Sequence, residues 1–308
     1  MRWTSWALFA TGVVSGASAV SLTRVTENFG PNPRNVGFYI YVPDNLAANP
    51  PILVNPHWCH GTAQLAYTGS QYATMASKYG FIAIYPDSPN TADKCWDVSS
   101  NDTLTHGAGG DSLGIVSMVR WTLNKYNGDP KRVFITGTSS GAMMTSTLIG
   151  AYPDVFAAGS AFAGVPFGCY AGNGYGVWSD ACATGKITRT PAEWAAVVKA
   201  AYPGYNGWRP KMQIFHGTVD EVLNYTNFKE EVKEWNAVFG YSQTPTISTL
   251  NTPVNNWTKY VYGGNDWFEA YSAGGVTHDI RIQEALVLSW FDLACTTGDC
   301  FRWGKGGA

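Results

Sequence analysis

The sequence has little charge. Lys and Arg total 20, Asp and Glu total 22, and the four types make up 14% of 308 residues, against about 25% in ordinary soluble domains. The net charge of −2 provides no basic field for a phosphate backbone, which excludes nucleic acid as a partner. Past the first residues no apolar run is long enough to span a bilayer, and no internal repeat, heptad pattern or low-complexity linker is present. Disorder is excluded too, because 45% of the chain is hydrophobic. What remains for the surface is Gly, Ser, Thr and Asn, with 13 Trp and 17 Tyr in the chain. A neutral surface rich in rings suits uncharged ligands such as sugars and aryl groups.

Met1-Arg2-Trp3, an apolar run from Trp6 to Val14 and Ala17-Ser18-Ala19 have the organisation of a secretory signal peptide, cut between Ala19 and Val20. Residues 1–19 are therefore expected to be a signal and residues 20–308 a single domain of a secreted, extracellular protein. Six cysteines follow, an even count that suits disulfides in that compartment. Proximity favours Cys169–Cys182 and Cys295–Cys300, leaving Cys59–Cys95. Sequons begin at Asn101, Asn224 and Asn256, three candidate glycosylation sites.

Short β-rich runs alternate with helical patterns. Strands are expected at Val36–Val42, Ile52–Asn55, Phe81–Tyr85, Val133–Thr136, Gly159–Ala163, Met212–Phe215 and Lys259–Tyr262. Several are apolar throughout, as strands covered on both faces are. Helical stripes carry Tyr72, Met75, Ala76 and Tyr79, then Ile115, Met118, Val119 and Leu123. Further stripes carry Trp194, Val197 and Val198, then Phe228, Val232, Trp235 and Phe239. Thr190-Pro191-Ala192-Glu193 is a capping box, and a last helix is expected from Ile280 to Leu293. The alternation predicts an α/β fold with a mostly parallel, doubly wound sheet. Val165–Lys186, irregular and ring-rich, reads as a long ordered loop.

Gly137-Thr138-Ser139-Ser140-Gly141 sits between an expected strand and helix. G-x-S-x-G in that setting is a nucleophile elbow, with Ser139 as nucleophile. A serine hydroxyl needs a general base. The elbow fold places acid and histidine after the serine, which leaves His216 and His278. His278, in a glycine-flanked loop, is the expected base; His216, at a strand end, is expected to bond to nearby backbone. Asp220, in a turn after its strand and one helix and one strand before the histidine loop, is the expected acid, with Glu221 and Asp279 as rivals. The oxyanion hole takes the N–H of Ser140 and one from the loop His57–Gln64, Cys59 before Trp58. His57, Cys59 and His60 resemble a metal cluster, but an oxidised Cys59 and no matching ligands argue against it, so no metal and no cofactor are expected.

These segments together resemble a known group: Gly137–Thr145, His57–Gln64, Cys95–Ser100, Leu104–Gly107, Arg209–Gln213 and Gly275–His278. The chain resembles the fungal secreted esterases of carbohydrate esterase family 1, the type B feruloyl esterases and acetylxylan esterases, from about Leu22 to Leu293. His60 departs from the residue expected in the oxyanion loop. The resemblance implies an α/β-hydrolase fold and deacylation of plant cell-wall xylan. It carries Ser139, Asp220 and His278 as triad, and Cys59 and Ser140 as oxyanion donors. Phe162–Pro166 and Phe268–Val276 are more like the feruloyl members, while Trp58–Gln64 and Pro210–Gln213 are also like the acetylxylan members. No separate carbohydrate-binding module is expected, and the protein is expected to act as a monomer.

Substrate specificity turns on rings. Phe167, Tyr170, Tyr175 and Trp178 with Trp58 could sandwich a feruloyl group, which favours ferulate release and leaves acetylxylan deacetylation as the alternative. Remoter readings are a polyester depolymerase or lipase, or a dead scaffold that binds carbohydrate. Intact Ser139, Asp220 and His278 oppose the last.

Overall fold

The computed structural model describes residues 21–172 and 174–305; the expected signal, residues 1–19, lies outside them. The strands are β1 (Thr23–Arg24), β2 (Gly37–Tyr41), β3 (Ile52–Val54), β4 (Ile82–Asp87), β5 (Val133–Thr138), β6 (Ala158–Phe162), β7 (Lys211–Gly217), β8 (Ile247–Leu250), β9 (Trp257–Tyr262) and β10 (Phe268–Ala273). They form one ten-stranded sheet in the order β1-β2-β4-β3-β5-β6-β7-β10-β9-β8. From β4 to β10 along that order every pair is parallel, and antiparallel strands close both edges.

Both sheet faces are covered, which is why the central strands are apolar at every position rather than at alternate ones. Ile52 and Val54 of β3 enter one core cluster and Leu53 the other. Helices Gly110–Tyr126, Ser140–Ala151, Pro191–Ala200 and Thr226–Phe239 contribute to the first cluster, and Tyr72–Tyr79 and Glu284–Trp290 to the second. The capping box is present: Thr190 Oγ1 accepts from Glu193 N–H, and Glu193 Oε2 accepts from Thr190 N–H at 2.8 Å. Among the described residues no helix is long and apolar enough to cross a membrane. Cys59–Cys95, Cys169–Cys182 and Cys295–Cys300 are bonded.

Strands β1, β8 and β10 are not among those expected from the sequence, and the last helix differs in extent. Strand β10, Phe-Glu-Ala-Tyr-Ser-Ala, carries polar residues yet lies buried inside the sheet. Its Glu269 carboxylate accepts from Gln213 Nε2 (3.1 Å) and Tyr271 OH (2.7 Å) and pairs with Lys259. Gln213 and Lys259 come from the neighbouring strands β7 and β9, so no local pattern announces them. One helix and three strands, not one of each, therefore separate Asp220 from His278. The last helix is also shorter, Glu284–Trp290. Residues 280–283 stay outside it, where Ile280 and Ile282 line a cleft.

Sheet order reverses at β3 and β5: the chain runs from β3 outward to β4, then crosses back to β5 on the other side. The carboxyl ends of these two strands bound the crevice where open α/β sheets place their ligands.

Candidate active site

Strand β5 delivers Ser139 to that crevice. Ser139 has φ 56° and ψ −121°, a left-handed turn between strand and helix, and its N–H donates to Phe162 O at 2.8 Å. The flanking glycines are required by proximity. A Cβ on Gly137 would lie 2.5 Å from the carbonyl of Gly141, and one on Gly141 would lie 2.2 Å from Pro56 O. The serine is thus raised on a turn wedged between its own helix and the end of β3. The helix it opens, Ser140–Ala151, points its N-terminus at the crevice.

The three residues expected to act together meet here. His278 Nε2 lies 2.9 Å from Ser139 Oγ, and His278 Nδ1 lies 2.8 Å from Asp220 Oδ2. Asp220 is an acceptor only when ionised, so Nδ1 carries the proton and Nε2 is free to accept the serine's. Asp220 Oδ1 accepts from the N–H groups of Val222 (2.9 Å) and Leu223 (2.7 Å). Burial alone would raise the Asp220 carboxyl, but hydrogen bonds from His216, His278 and Leu223 hold it well below the usual carboxylate range. The acid and base loops are stitched together: Val219 N–H donates to Val276 O at 3.1 Å, and Gly275 N–H to Thr218 Oγ1 at 2.9 Å. A Cβ on Gly217 would fall 2.2 Å from Val276 O, so only glycine lets these loops touch.

The rivals stand aside. Glu221 Oε2 accepts from the backbone N–H of His278 at 3.2 Å rather than from its ring. Asp279 lines the cleft. His216 does bond to nearby backbone, at Leu223 O, and it also reaches Asp220.

The loop after β3 is braced from beneath. Both nitrogens of His57 are used: Nδ1–H donates to Trp58 O (2.7 Å) and Nε2 accepts from Ser88 N–H (3.0 Å). Burial pushes its imidazole below the ordinary value. Trp96 Nε1 donates to His57 O at 2.7 Å. Cys59 is bonded to Cys95, so it and His57, two of the three residues that resembled a metal cluster, are otherwise engaged. Sequence reasoning had assigned His57 no structural role; only the fold brings Ser88 beneath its ring.

Ser139 opens into a cleft of about 1000 Å³ walled by Trp58, Thr138, Trp178, Val222, Ile280 and Ile282, with Cys59 and His278 at its floor. Asp93, Glu221, Asp279 and Glu284 face it alongside Arg281. The ring-lined slot is corrected in part: Trp58 and Trp178 line the cleft, but three other expected rings do not. Phe167 and Tyr170 are buried in the core, and Tyr175 turns inward to donate its hydroxyl to Asp111 at 3.1 Å. Among the described residues of the long loop only Trp178 lines the cleft, 46% exposed. Phe167 and Tyr170 belong to the apolar body of the molecule and Tyr175 to a polar cluster, a distinction that composition cannot make. The sequon residues Asn101, Asn224 and Asn256 are all exposed.

A mostly parallel sheet with a strand–serine–helix elbow, and a histidine between that serine and a buried carboxylate, defines a serine esterase of the α/β-hydrolase fold. Residues 36–245 match the family described as esterase PHB depolymerase. Acetylxylan esterase A of Emericella nidulans is 51% identical over 88% of this chain and 88% of its own. Feruloyl esterase B of Talaromyces stipitatus is 46% identical over 89% of this chain and 76% of its own. The solved acetyl xylan esterase from Aspergillus awamori superposes with a TM-score of 0.86 at 46% identity, over 89% of this chain and all of the other. The chain belongs to the esterase PHB depolymerase family.

Proposed function

We propose that this protein is a secreted esterase that removes acetyl groups from plant cell-wall xylan. One observation carries the choice of acyl group: of the described Trp, Tyr and Phe rings only Trp58 and Trp178 line the cleft beside Ser139, and only Trp178 is strongly exposed. The exposed Trp178 ring suits a sugar face lying across the cleft mouth, with a small acyl group below. The names of the relatives in Emericella and Aspergillus support the same reading.

In this reading Ser139 Oγ attacks the ester carbonyl while His278 Nε2 takes its proton. The N–H groups of Cys59 and Ser140 stabilise the oxyanion. His278 then returns the proton to the departing sugar hydroxyl. Water, deprotonated by the same histidine, releases acetate from Ser139. Asp220 orients the imidazole and stabilises its charged form.

A second reading, ferulate release, is favoured by Trp178 itself, whose face can stack on one side of an aryl ring, and by the relative named feruloyl esterase B. The deciding experiment compares acetate release from acetylated xylan with hydrolysis of methyl ferulate. Higher kcat/KM on acetylated xylan is expected. Ferulate release with no detectable deacetylation would establish the second reading instead.

A further inference from the structure

His216 is the penultimate residue of β7, with its side chain fully buried. Its Nε2 lies 2.8 Å from Leu223 O and 3.2 Å from Asp220 Oδ2. A carbonyl and an ionised carboxylate only accept, so Nε2 carries the proton and shares it between them. Its Nδ1 has no partner among the described residues. Asp220 thus receives four N–H groups: Val222 and Leu223 on Oδ1, and both His278 Nδ1 and His216 Nε2 on Oδ2. One carboxylate oxygen serves two imidazoles, one exposed to the cleft and one sealed in the core.

We propose that His216 is a positioning residue for the catalytic acid. It fixes the carboxylate with Oδ2 towards His278, and by donating to that oxygen it weakens its hold on the charged form of the base. The consequence is an acid limb of the pH–rate profile lying lower than an unshared carboxylate would give. The groups that face this pair are few. Tyr225 stands 6.1 Å from the His216 ring and donates its hydroxyl to Ser272 Oγ on β10. Phe228 covers the ring from the same helix. Glu221 binds the backbone N–H of His278, and Asp279 is its chain neighbour. Of these charged and titratable groups, Asp220 alone touches both imidazoles.

The inference rests on the reading of Ser139, His278 and Asp220 as the triad, and the test keeps the two apart. His216→Phe fills the ring's volume without an N–H; His216→Gln keeps an N–H at similar reach. Both are assayed on 4-nitrophenyl acetate, beside Asp220→Asn, for kcat, KM and the acid limb of kcat/KM. For His216→Phe, kcat should fall roughly tenfold with KM little changed, and the limb should rise by on the order of half a pH unit. His216→Gln should restore most of both. An active Asp220→Asn enzyme refutes the triad itself. An inactive Asp220→Asn beside a His216→Phe variant of wild-type kcat and limb refutes only the role of His216, as does an equal displacement by Gln and Phe. If His216→Phe does not fold, the imidazole ¹⁵N spectrum of the wild-type protein decides: a neutral Nε2–H tautomer at His216 supports the proposal, and an Nδ1–H tautomer overturns it.

Discussion

The backbone N–H of Trp96 donates to Ser140 Oγ at 2.7 Å, tying the residue after the nucleophile to the residue after Cys95. Cys95 is in turn bonded to Cys59 in the loop after β3. The two proposed oxyanion donors, Cys59 and Ser140, are therefore linked through one dipeptide. Replacing both cysteines by serine should lower kcat as well as stability, the latter by about 2–5 kcal/mol. Urea unfolding and steady-state kinetics of the double variant check both parts; an unchanged kcat with lowered stability would show that the bridge does not preorganise the hole.

The triad geometry separates two neighbouring carboxylates. Asp220→Asn should lose most of kcat, because Oδ2 no longer anchors the protonated Nδ1 of His278. Asp279→Asn, which alters only the cleft lining, should stay within a few-fold of wild type. Ser139→Ala should fold normally and lose roughly 10³-fold or more in kcat. Exchanged phenotypes for the two aspartates would identify the wrong acid.

Trp178 is predicted to act on substrate and not on chemistry. Its indole N–H is held by Asp180 Oδ1 at 2.9 Å, and its ring meets Tyr170 edge-on. Trp178→Ala should raise KM for acetylated xylan by about 2–10-fold, the equivalent of one lost stacking contact of about 0.5–1.5 kcal/mol, while sparing a small acetate ester. Equal losses on polymer and small ester would place Trp178 in the catalytic framework instead.

Acidity should stabilise the fold. Burial pushes Glu231 up to about 8 and Glu234 well above its ordinary range. Asp111, buried beside Asp97, rises to about 7. Each raised carboxyl holds a proton in the folded state that the unfolded chain releases. Its contribution is therefore full below the ordinary value of 4.5 for Glu231 and is lost as pH rises towards about 8. Asp97 and Asp220 are depressed and work in the opposite sense, but their contribution is lost only as pH falls below the ordinary value of 3.8. His57, lowered by burial, also works in the opposite sense below its ordinary 6.5, but it is one group against three raised carboxyls, so urea midpoints should decline from about pH 5 to about pH 8, and Glu231→Gln should flatten the decline. A wild-type-like slope in that variant would contradict this account.

The residues that carry local signals were legible before any coordinates. The elbow around Ser139 is written in consecutive residues, since a tight turn beside a helix demands its glycines. Asp220 and His278 followed from chain order and from glycine-rich surroundings. What could not be read depends on partners distant in sequence. Glu269 makes β10 look like a loop until Gln213 and Lys259 arrive beside it. Ile280 and Ile282 look like the start of a helix, yet their apolar faces line the cleft. Phe167 and Tyr170 look like ligand rings, yet they fill the core. Ring count and periodicity report apolarity and not which cavity receives it.

The wall at Ile280 and Ile282 has an implication for redesign. It continues directly from His278, so a substitution or insertion there moves the base together with the pocket. The Trp178 side belongs to a different loop, held by Asp97 and Ser99, which accept from the N–H groups of Gly176 and Val177. Acyl-group preference should therefore be more evolvable, and more easily engineered, through residues 174–180 than through residues 279–284. Natural diversification of substrate range in this scaffold is expected to concentrate on the former.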